Sequence, residues 1–314
     1  MQSATSQVSC LSHTLQHTST NVDKVVTQLC RRIEQAGEQS DITIQEQIDM
    51  VHQLAQFGMG RYLLLHRGLN AHWSRYLKLL YPQKQRALGV NLDGEPFTPM
   101  ERWYLESPPA QASQECWQMC RQVLQKQVHD YTTMASVPCG ALDDLLELDF
   151  ASHRHVGLVG VDIDAEALCL AEDNARDHDL IQQVQLRQAD AWNLNTRNQW
   201  NVVTSKGLAG YEPSFKRLLQ LYEQFYLALK PTGVLVTNLW MPYDGKLKPK
   251  ISLTLKEQKE LKRFSLLTRH ILQVKWSQIM TQGQMSDLLQ RVGFTDIRFS
   301  PTTNGLCALV TAKK

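Results

Sequence analysis

Two patterns of apolar positions divide the chain near residue 130. Before it, apolar residues recur at helical spacing. VDKVVTQLCRRIEQ puts Val22, Val25, Val26, Leu29 and Ile33 on one face. DITIQEQIDMVHQLAQFGMGRYLLLHRGL continues as helix, with Asp41 placed to cap it and Gln45 and Glu46 in its first turns. Gly89 to Pro99 (GVNLDGEPFTP) reads as a loop, and a further helix is expected from about Pro109 to His129. No strand pattern precedes Thr132, and no internal repeat is visible.

From Thr132 the period switches. Strands are predicted at 132–138, 155–163, 184–189, 201–205, 233–239, 294–300 and 306–312. Helices are predicted between them at 164–177, 213–230 and 284–292, with Pro213 opening the second and Gly293 closing the third. Such alternation implies a parallel sheet with helices on both faces. The last two strands are joined by a turn containing Asn304-Gly305, which makes them an antiparallel hairpin. The expected fold is α/β: a Rossmann-like, seven-stranded, mostly parallel sheet with an antiparallel C-terminal hairpin, behind an all-helical N-terminal part. The expected boundaries are a loosely ordered tail over 1–20, helices over 21–130 and the sheet domain over 131–314.

Composition excludes more than it assigns. Lys and Arg number 33 against 31 Asp and Glu, a net charge of +2, so there is no global nucleic-acid signature. The one basic cluster, Lys246 to Arg263, is interleaved with Glu257 and Glu260 and reads as a solvated helix face. No apolar run approaches the ~18 residues of a membrane span, and the polar N-terminus lacks a secretory apolar core. The seven cysteines are odd in number and scattered, which points to reduced thiols in a cytoplasm. Cys116 and Cys120 stand one helical turn apart but lack a second ligand pair, so no metal is expected.

The chemistry lies in MASVPCGALDDLLEL, Met134 to Leu148, and in two later acids. A strand ends in Pro138-Cys139-Gly140, a small-residue turn follows, then an apolar helix, then a second strand ending in Asp162. Strand, turn, helix, strand, acid is how a Rossmann-like sheet holds a nucleotide, and Asp162 falls close to the ~20 residues after the glycine that this arrangement uses. Asp190 ends the third strand segment, VQLRQADAW.

With these residues the segment from about 130 to 314 resembles a class I S-adenosylmethionine (SAM)-dependent methyltransferase. MASVPCGALDDLLEL aligns without a gap with the family's first motif. VGVDIDAEALCLAEDNA is similar to the second, QADAW to the third and LKPTGVLVT to the fourth. GRYLLLHRGLNAHWSRY resembles part of the helical cap of a bacterial subgroup with an Ala-Ser-Ile-Pro-Cys-Gly first motif. The resemblance implies SAM as cofactor, with S-adenosylhomocysteine (SAH) as product. It implies a cofactor site of Ser136, Pro138, Cys139, Gly140, Asp162, Ile163, Asp190, Ala191, Trp192, Ser205, Lys206 and Gly207. Asp162 takes the ribose hydroxyls; its alternative is a helix cap, a role Asp164 can fill instead. Asp190 takes the adenine amino group, with Ile163 and Trp192 on the ring faces, although plain core packing accounts for Trp192 equally well.

Three departures stand out. Ser136 occupies a position where the family usually has an acid, and Pro138 and Leu142 occupy glycine positions. Lys206 lies in the loop after strand four, where a cation is unhelpful to a sulfonium unless its ammonium points to solvent or to a carboxylate of SAM or substrate.

Methyl transfer needs placement more than proton transfer. The acceptor-side candidates are Tyr211, Glu212 and His66 for chemistry, and Arg67, Trp73, Tyr76, Trp240 and Tyr243 for binding; His72 lies on the same cap. The aromatic content suits a small apolar or aromatic metabolite methylated at O, N or C, and a covered crevice would bring the GRYLLLHRGLNAHWSRY helices onto the loop after strand four. Neither nucleic acid nor membrane is expected as a partner. A dehydrogenase is disfavoured, because only Gly140 of a G-x-G-x-x-G loop is present and two aspartates follow it. The remaining alternatives are a non-catalytic SAM- or SAH-binding protein on this fold, and an enzyme with a protein target.

Overall fold

The apolar periods become two bodies of structure with three packed cores. The computed structural model describes residues 18–39, 42–242, 253–276 and 278–314. The N-terminal tail to residue 17, Cys10, Asp41, Tyr243 and the start of the basic cluster lie outside the described residues.

Helix α1 (Thr18–Ala36) buries Val22, Val26, Leu29 and Ile33, the stripe its spacing predicts. Helix α2 (Ile44–Leu54) starts later than Asp41 implied. Its cap is Thr43, which forms a reciprocal capping box with Glu46. Helices α3 (Gly58–His66) and α4 (Ala71–Arg75) follow, and α4 continues into a π-helical segment, Tyr76–Gln85. Helices α5 (Pro99–Leu105) and α6 (Pro108–Gln125) each carry proline in the first turn, where its missing N–H costs nothing.

The sheet comprises β1 (Thr133–Ser136), β2 (Gly157–Asp162), β3 (Val184–Gln188), β4 (Trp200–Ser205), β5 (Leu229–Trp240), β6 (Thr295–Pro301) and β7 (Cys307–Lys313). Its order is β3-β2-β1-β4-β5-β7-β6. The first five strands are parallel, and β7 runs antiparallel to both β5 and β6, so the predicted hairpin inserts its second strand beside β5. Between the strands lie the one-turn helix α7 (Asp143–Leu146), α8 (Ala165–Asp177), α9 (Phe215–Ala228), α10 (Leu255–Ser265) and α11 (Gln282–Val292). Pro213 stands just outside α9, whose cap is Ser214. Thr281 and Gln284 box the start of α11, and Gly293 ends it in the left-handed region.

Strand alternation separates the two faces. Ala135, Val159, Val203 and Leu235 point to α9 and α11. Met134, Leu158, Val202 and Val236 point to α6, α7 and α8. The third core joins α1 to α5 with Leu266, Leu267, Ile271 and Leu272, which follow α10. The helical layer is therefore built from the N-terminal helices and from a segment inserted between β5 and α11.

Candidate functional site

The strand order reverses between β1 and β4, where an open α/β sheet leaves a crevice at its carboxyl edge. The loop after β1 is shaped for close approach. Its Cys139 N–H donates to Val161 O at 2.9 Å. The Cys139 thiol lies against Gly160, where an added Cβ would stand 3.1 Å from the sulfur. Burial, with Asp162 nearby, pushes that thiol up, which makes it a space-filling group and not a nucleophile. Gly140 takes φ +51° and Leu142 φ +60°, so the left-handed turn persists where a leucine replaces the expected glycine.

Asp162, 8% exposed, holds this loop. One of its oxygens accepts Gly140 N–H at 2.9 Å, and the other accepts Asp164 N–H at 3.1 Å. Asp164 itself caps α8 through Glu166 N–H at 2.9 Å, so capping falls to Asp164 and not to Asp162. Each Asp162 oxygen keeps acceptor capacity. Ile163 beside it is 68% exposed, an apolar surface at the crevice mouth.

Asp190 is exposed and fixes its own turn by accepting Trp192 N–H at 3.0 Å. Trp192 donates its indole N–H to Arg217 O at 2.8 Å, and the Arg217 guanidinium covers its ring at 4.9 Å. The indole also packs on the sheet core. Ala191 is buried beneath it.

At the ends of β1 and β4 lies a polar cluster whose key acid the sequence reading missed. Ser136 Oγ donates to Asp144 Oδ2 at 3.0 Å, and Lys206 Nζ lies 3.3 Å from the same oxygen. Asp144 is 5% exposed. A carboxylate from α7 thus lies beside position 136, where the sequence itself has none. The only sequence signal was an acid pair inside an apolar helix, Asp143-Asp144. Burial pulls the Lys206 ammonium down, but Asp144 and the nearby Cys120 outweigh it and hold the group above the ordinary lysine value. Ser205 is buried, and Gly207 N–H donates to Asn238 Oδ1 at 2.9 Å with φ +92°.

Asp143 faces the helical layer instead. Arg75 Nε lies 2.8 Å from its Oδ1, an ion pair not aligned as a hydrogen bond. Asn174 Nδ2 donates to Asp143 Oδ1 at 3.0 Å and to Ala141 O at 2.8 Å, while its Oδ1 accepts Arg75 Nη2 at 2.7 Å. Burial pushes the Asp143 carboxyl up to about 6 in spite of Arg75.

The helical layer covers this edge. A Cβ at Gly140 would meet Ala71 Cβ at 3.7 Å, and one at Gly68 would meet the Tyr211 hydroxyl at 3.5 Å. The segment after α10 ties both sides: Lys275 N–H donates to Arg67 O at 2.9 Å, Arg67 Nε to Gln273 O at 2.8 Å, and Gln278 N–H to Gly210 O at 3.0 Å. The GRYLLLHRGLNAHWSRY helices thus meet the loop after β4, as expected. His66 stacks on Tyr62 at 4.1 Å, with Trp73 6.4 Å from Tyr62. Tyr211 meets Trp276 edge-on at 6.2 Å. Tyr62, although inside GRYLLLHRGLNAHWSRY, and Trp276, which lies in no motif, were not singled out in the sequence.

Four acceptor-side candidates are committed elsewhere. Tyr76 is a core residue, 0% exposed, with its hydroxyl donating to Glu101 at 3.0 Å. Glu212 is committed locally. It accepts Ser214 N–H and Arg217 Nε, each at 2.8 Å, and these contacts, the backbone one first, hold its carboxyl below the usual range. That suits an anchor for α9 and makes a poor base. Trp240 is half-buried against the α6-side core, and Arg67 is spent on Gln273.

Residues 129–284 match a family model described as a methyltransferase domain. The chain belongs to the class I SAM-dependent methyltransferases. This methyltransferase is 34% identical to a solved structure described as a possible exported protein from Bordetella parapertussis, over 95% of this chain and 96% of that one, with a TM-score of 0.84. Two further solved structures share the fold at low identity. The SAM-dependent methyltransferase SibL covers 85% of this chain and 73% of its own (16% identity, TM-score 0.52). The CurJ carbon methyltransferase covers 84% and 66% (12% identity, TM-score 0.50). No curated protein matches the chain by sequence. Among the described residues no helix is long and apolar enough to cross a membrane, and no cluster of His, Cys, Asp and Glu could hold a metal.

The residues fit SAM. A buried carboxylate with free acceptor capacity, an exposed isoleucine next to it and a turn that Gly140 keeps free of a side chain suit a nucleoside. The Ser136, Asp144 and Lys206 cluster offers both charges to an amino-acid head group.

Proposed function

We propose that this methyltransferase moves the methyl group of SAM to an O, N or C nucleophile of a small, apolar or aromatic metabolite. The observation that carries this is the cover: Ala71 on Gly140, Gly68 on Tyr211, and Gln273, Lys275 and Gln278 tied to Arg67 and Gly210, close the carboxyl edge with aromatic residues. A covered crevice excludes folded macromolecules and water, and residues 21–130 serve as its cap over the catalytic domain of 131–314. The many free cysteines, six among the described residues, support a reducing, cytoplasmic setting.

SAM, when bound, supplies a methyl group already activated by the sulfonium. The chain's part is to bind, orient and keep the crevice dry. Asp162 receives the ribose hydroxyls, and Asp190 with Ile163, Ala191 and Trp192 forms the adenine side. Ser136 and the Pro138-Cys139-Gly140 turn, with Ser205, Lys206 and Gly207, line the methionine end. Tyr211, Trp73 and Tyr62 shape the acceptor side. His66 is the group to receive an acceptor proton: burial and then Lys275 hold its imidazole below the ordinary value, so it is neutral near pH 7.

The test is tritiated methyl transfer from SAM into a cell extract separated into small-molecule, protein and RNA fractions. Label confined to the small-molecule fraction is expected; label confined to protein or RNA refutes the substrate class.

A further inference from the structure

The polar cluster under the cap carries more positive than negative charge. Arg75 pairs with Asp143 and Lys206 with Asp144. The next acid along, Glu147, is taken by Arg121 at 3.6 Å and His178 at 3.7 Å. Lys78 has no such partner: among the described residues nothing forms a hydrogen bond or ion pair with its ammonium. It is half-buried, and its electrostatic neighbours are Lys206, Cys116, Asp144 and Asp143. It stands three residues beyond Arg75, in the π-helical segment that continues α4 and runs alongside α6. Leu77 O accepts Gln114 Nε2 at 3.1 Å, which pins this run to α6, and Trp117 on α6 lies under the Lys206 ammonium at 6.0 Å. Burial, then Lys206, hold the Lys78 ammonium below the ordinary lysine value. Two lysines set together in a half-closed space, one already matched, leave one positive charge for an anion brought from outside.

We propose that Lys78, with Lys206, forms a carboxylate-binding site beneath the cap, occupied by the methionine carboxylate of SAM or by a carboxylate on the acceptor. The site rests on the methyltransferase reading, and it makes the cap a direct contributor to ligand binding. Lys78 is a binding residue: its ammonium donates to the carboxylate and moves no proton.

Calorimetry separates the sources. SAH and 5′-methylthioadenosine, which lacks the amino-acid part, are titrated into wild type, Lys78→Met and Lys78→Gln. Benzoate and benzyl alcohol are then titrated into each protein saturated with SAH. Lys78→Met is close in shape and removes an unpaired, half-buried charge, so the fold is expected to hold, and Lys78→Gln supplies a polar check. The expected result is a loss of about tenfold for the carboxylate probe, with the neutral probe unchanged. A loss for SAH alone assigns the site to the cofactor; a loss for benzoate alone assigns it to the acceptor. Equal binding of all four probes by all three proteins overturns the proposal and leaves the methyltransferase reading intact. Equal loss of charged and neutral probes marks a structural role and also overturns it. Failure of wild type to bind either nucleoside counts against the methyltransferase reading instead. Benzoate and benzyl alcohol on the ligand-free proteins then decide the Lys78 site, and no difference between wild type and variants overturns it.

Discussion

Breaking the Asp144–Lys206 pair from either side should cost far more than removing it whole. Nζ and Oδ2 are 3.3 Å apart, with side chains 14% and 6% exposed. At an effective dielectric of about 20 the attraction is about 5 kcal/mol, and taking both charges out of water offsets most of it. Lys206→Met leaves Asp144 buried with the Ser136 hydroxyl as its one hydrogen-bond donor among the described residues, and Asp144→Asn leaves Lys206 without its carboxylate. Each single change should destabilise by about 3 kcal/mol, whereas the double variant leaves no orphaned charge and should cost only about 1 kcal/mol. The assay is guanidinium chloride unfolding followed by far-ultraviolet circular dichroism, with slopes compared so that a shift in midpoint reports stability. The coupling between the two substitutions should be several kcal/mol. Single variants that each cost under about 0.5 kcal/mol, and whose costs simply add, would show a pair of the solvent-screened kind. Asp144 could not then be the acid that stands in for the one missing at position 136.

Three further outcomes follow from the site. Asp162→Ala should lower SAH affinity about a hundredfold by calorimetry, since two hydroxyl bonds to a carboxylate are lost; unchanged affinity would remove Asp162 from the ribose role. Tyr76→Phe should destabilise the fold by about 1–2 kcal/mol in the same unfolding assay and leave SAH affinity unchanged; a change in affinity with no loss of stability would return Tyr76 to the pocket. Asp143 binds its proton more tightly when folded, at about 6 against an ordinary 3.8, so its contribution to stability is present at low pH and is lost as pH rises from about 4 to 6. The stability of wild type relative to Asp143→Asn should fall across that window in thermal melts and stay flat above it; a difference that rises with pH would contradict the burial of this acid.

The sheet was legible because its signals are local. Strand alternation, the Asn304-Gly305 turn and Gly293 each act over a few residues, and every predicted strand lies within a few residues of its observed span. The cap at Asp164 was legible for the same reason, since a helix cap is a two-residue affair. What stayed hidden depends on contacts between distant parts of the chain. Tyr76 and Trp73 were both binding candidates, and it takes Glu101, 25 residues on in α5, to show that Tyr76 is the buried one. Glu212 looked free until Arg217, in the first turn of α9, closed on it. The stand-in acid at Asp144 depends on how α7 places its first turn against Ser136, which no spacing rule encodes. Asp41 lost the cap to Thr43 because Thr43 has a glutamate three residues on and so can form a reciprocal pair.

The insertion after β5 sets an order of events during synthesis. Leu266, Leu267, Ile271 and Leu272 complete a core whose other members come from the first third of the chain. A ribosome delivers the N-terminal helices early, yet the part of their apolar surface that Leu266, Leu267, Ile271 and Leu272 cover has no partner until those residues have emerged. For most of translation the growing chain carries an adhesive surface that only its own late portion can mask, a natural target for a chaperone. Truncations within α10, or slow codons just before it, should therefore reduce soluble yield far more than equal changes in the loop after α2, because they prolong or make permanent the interval in which that surface has no partner.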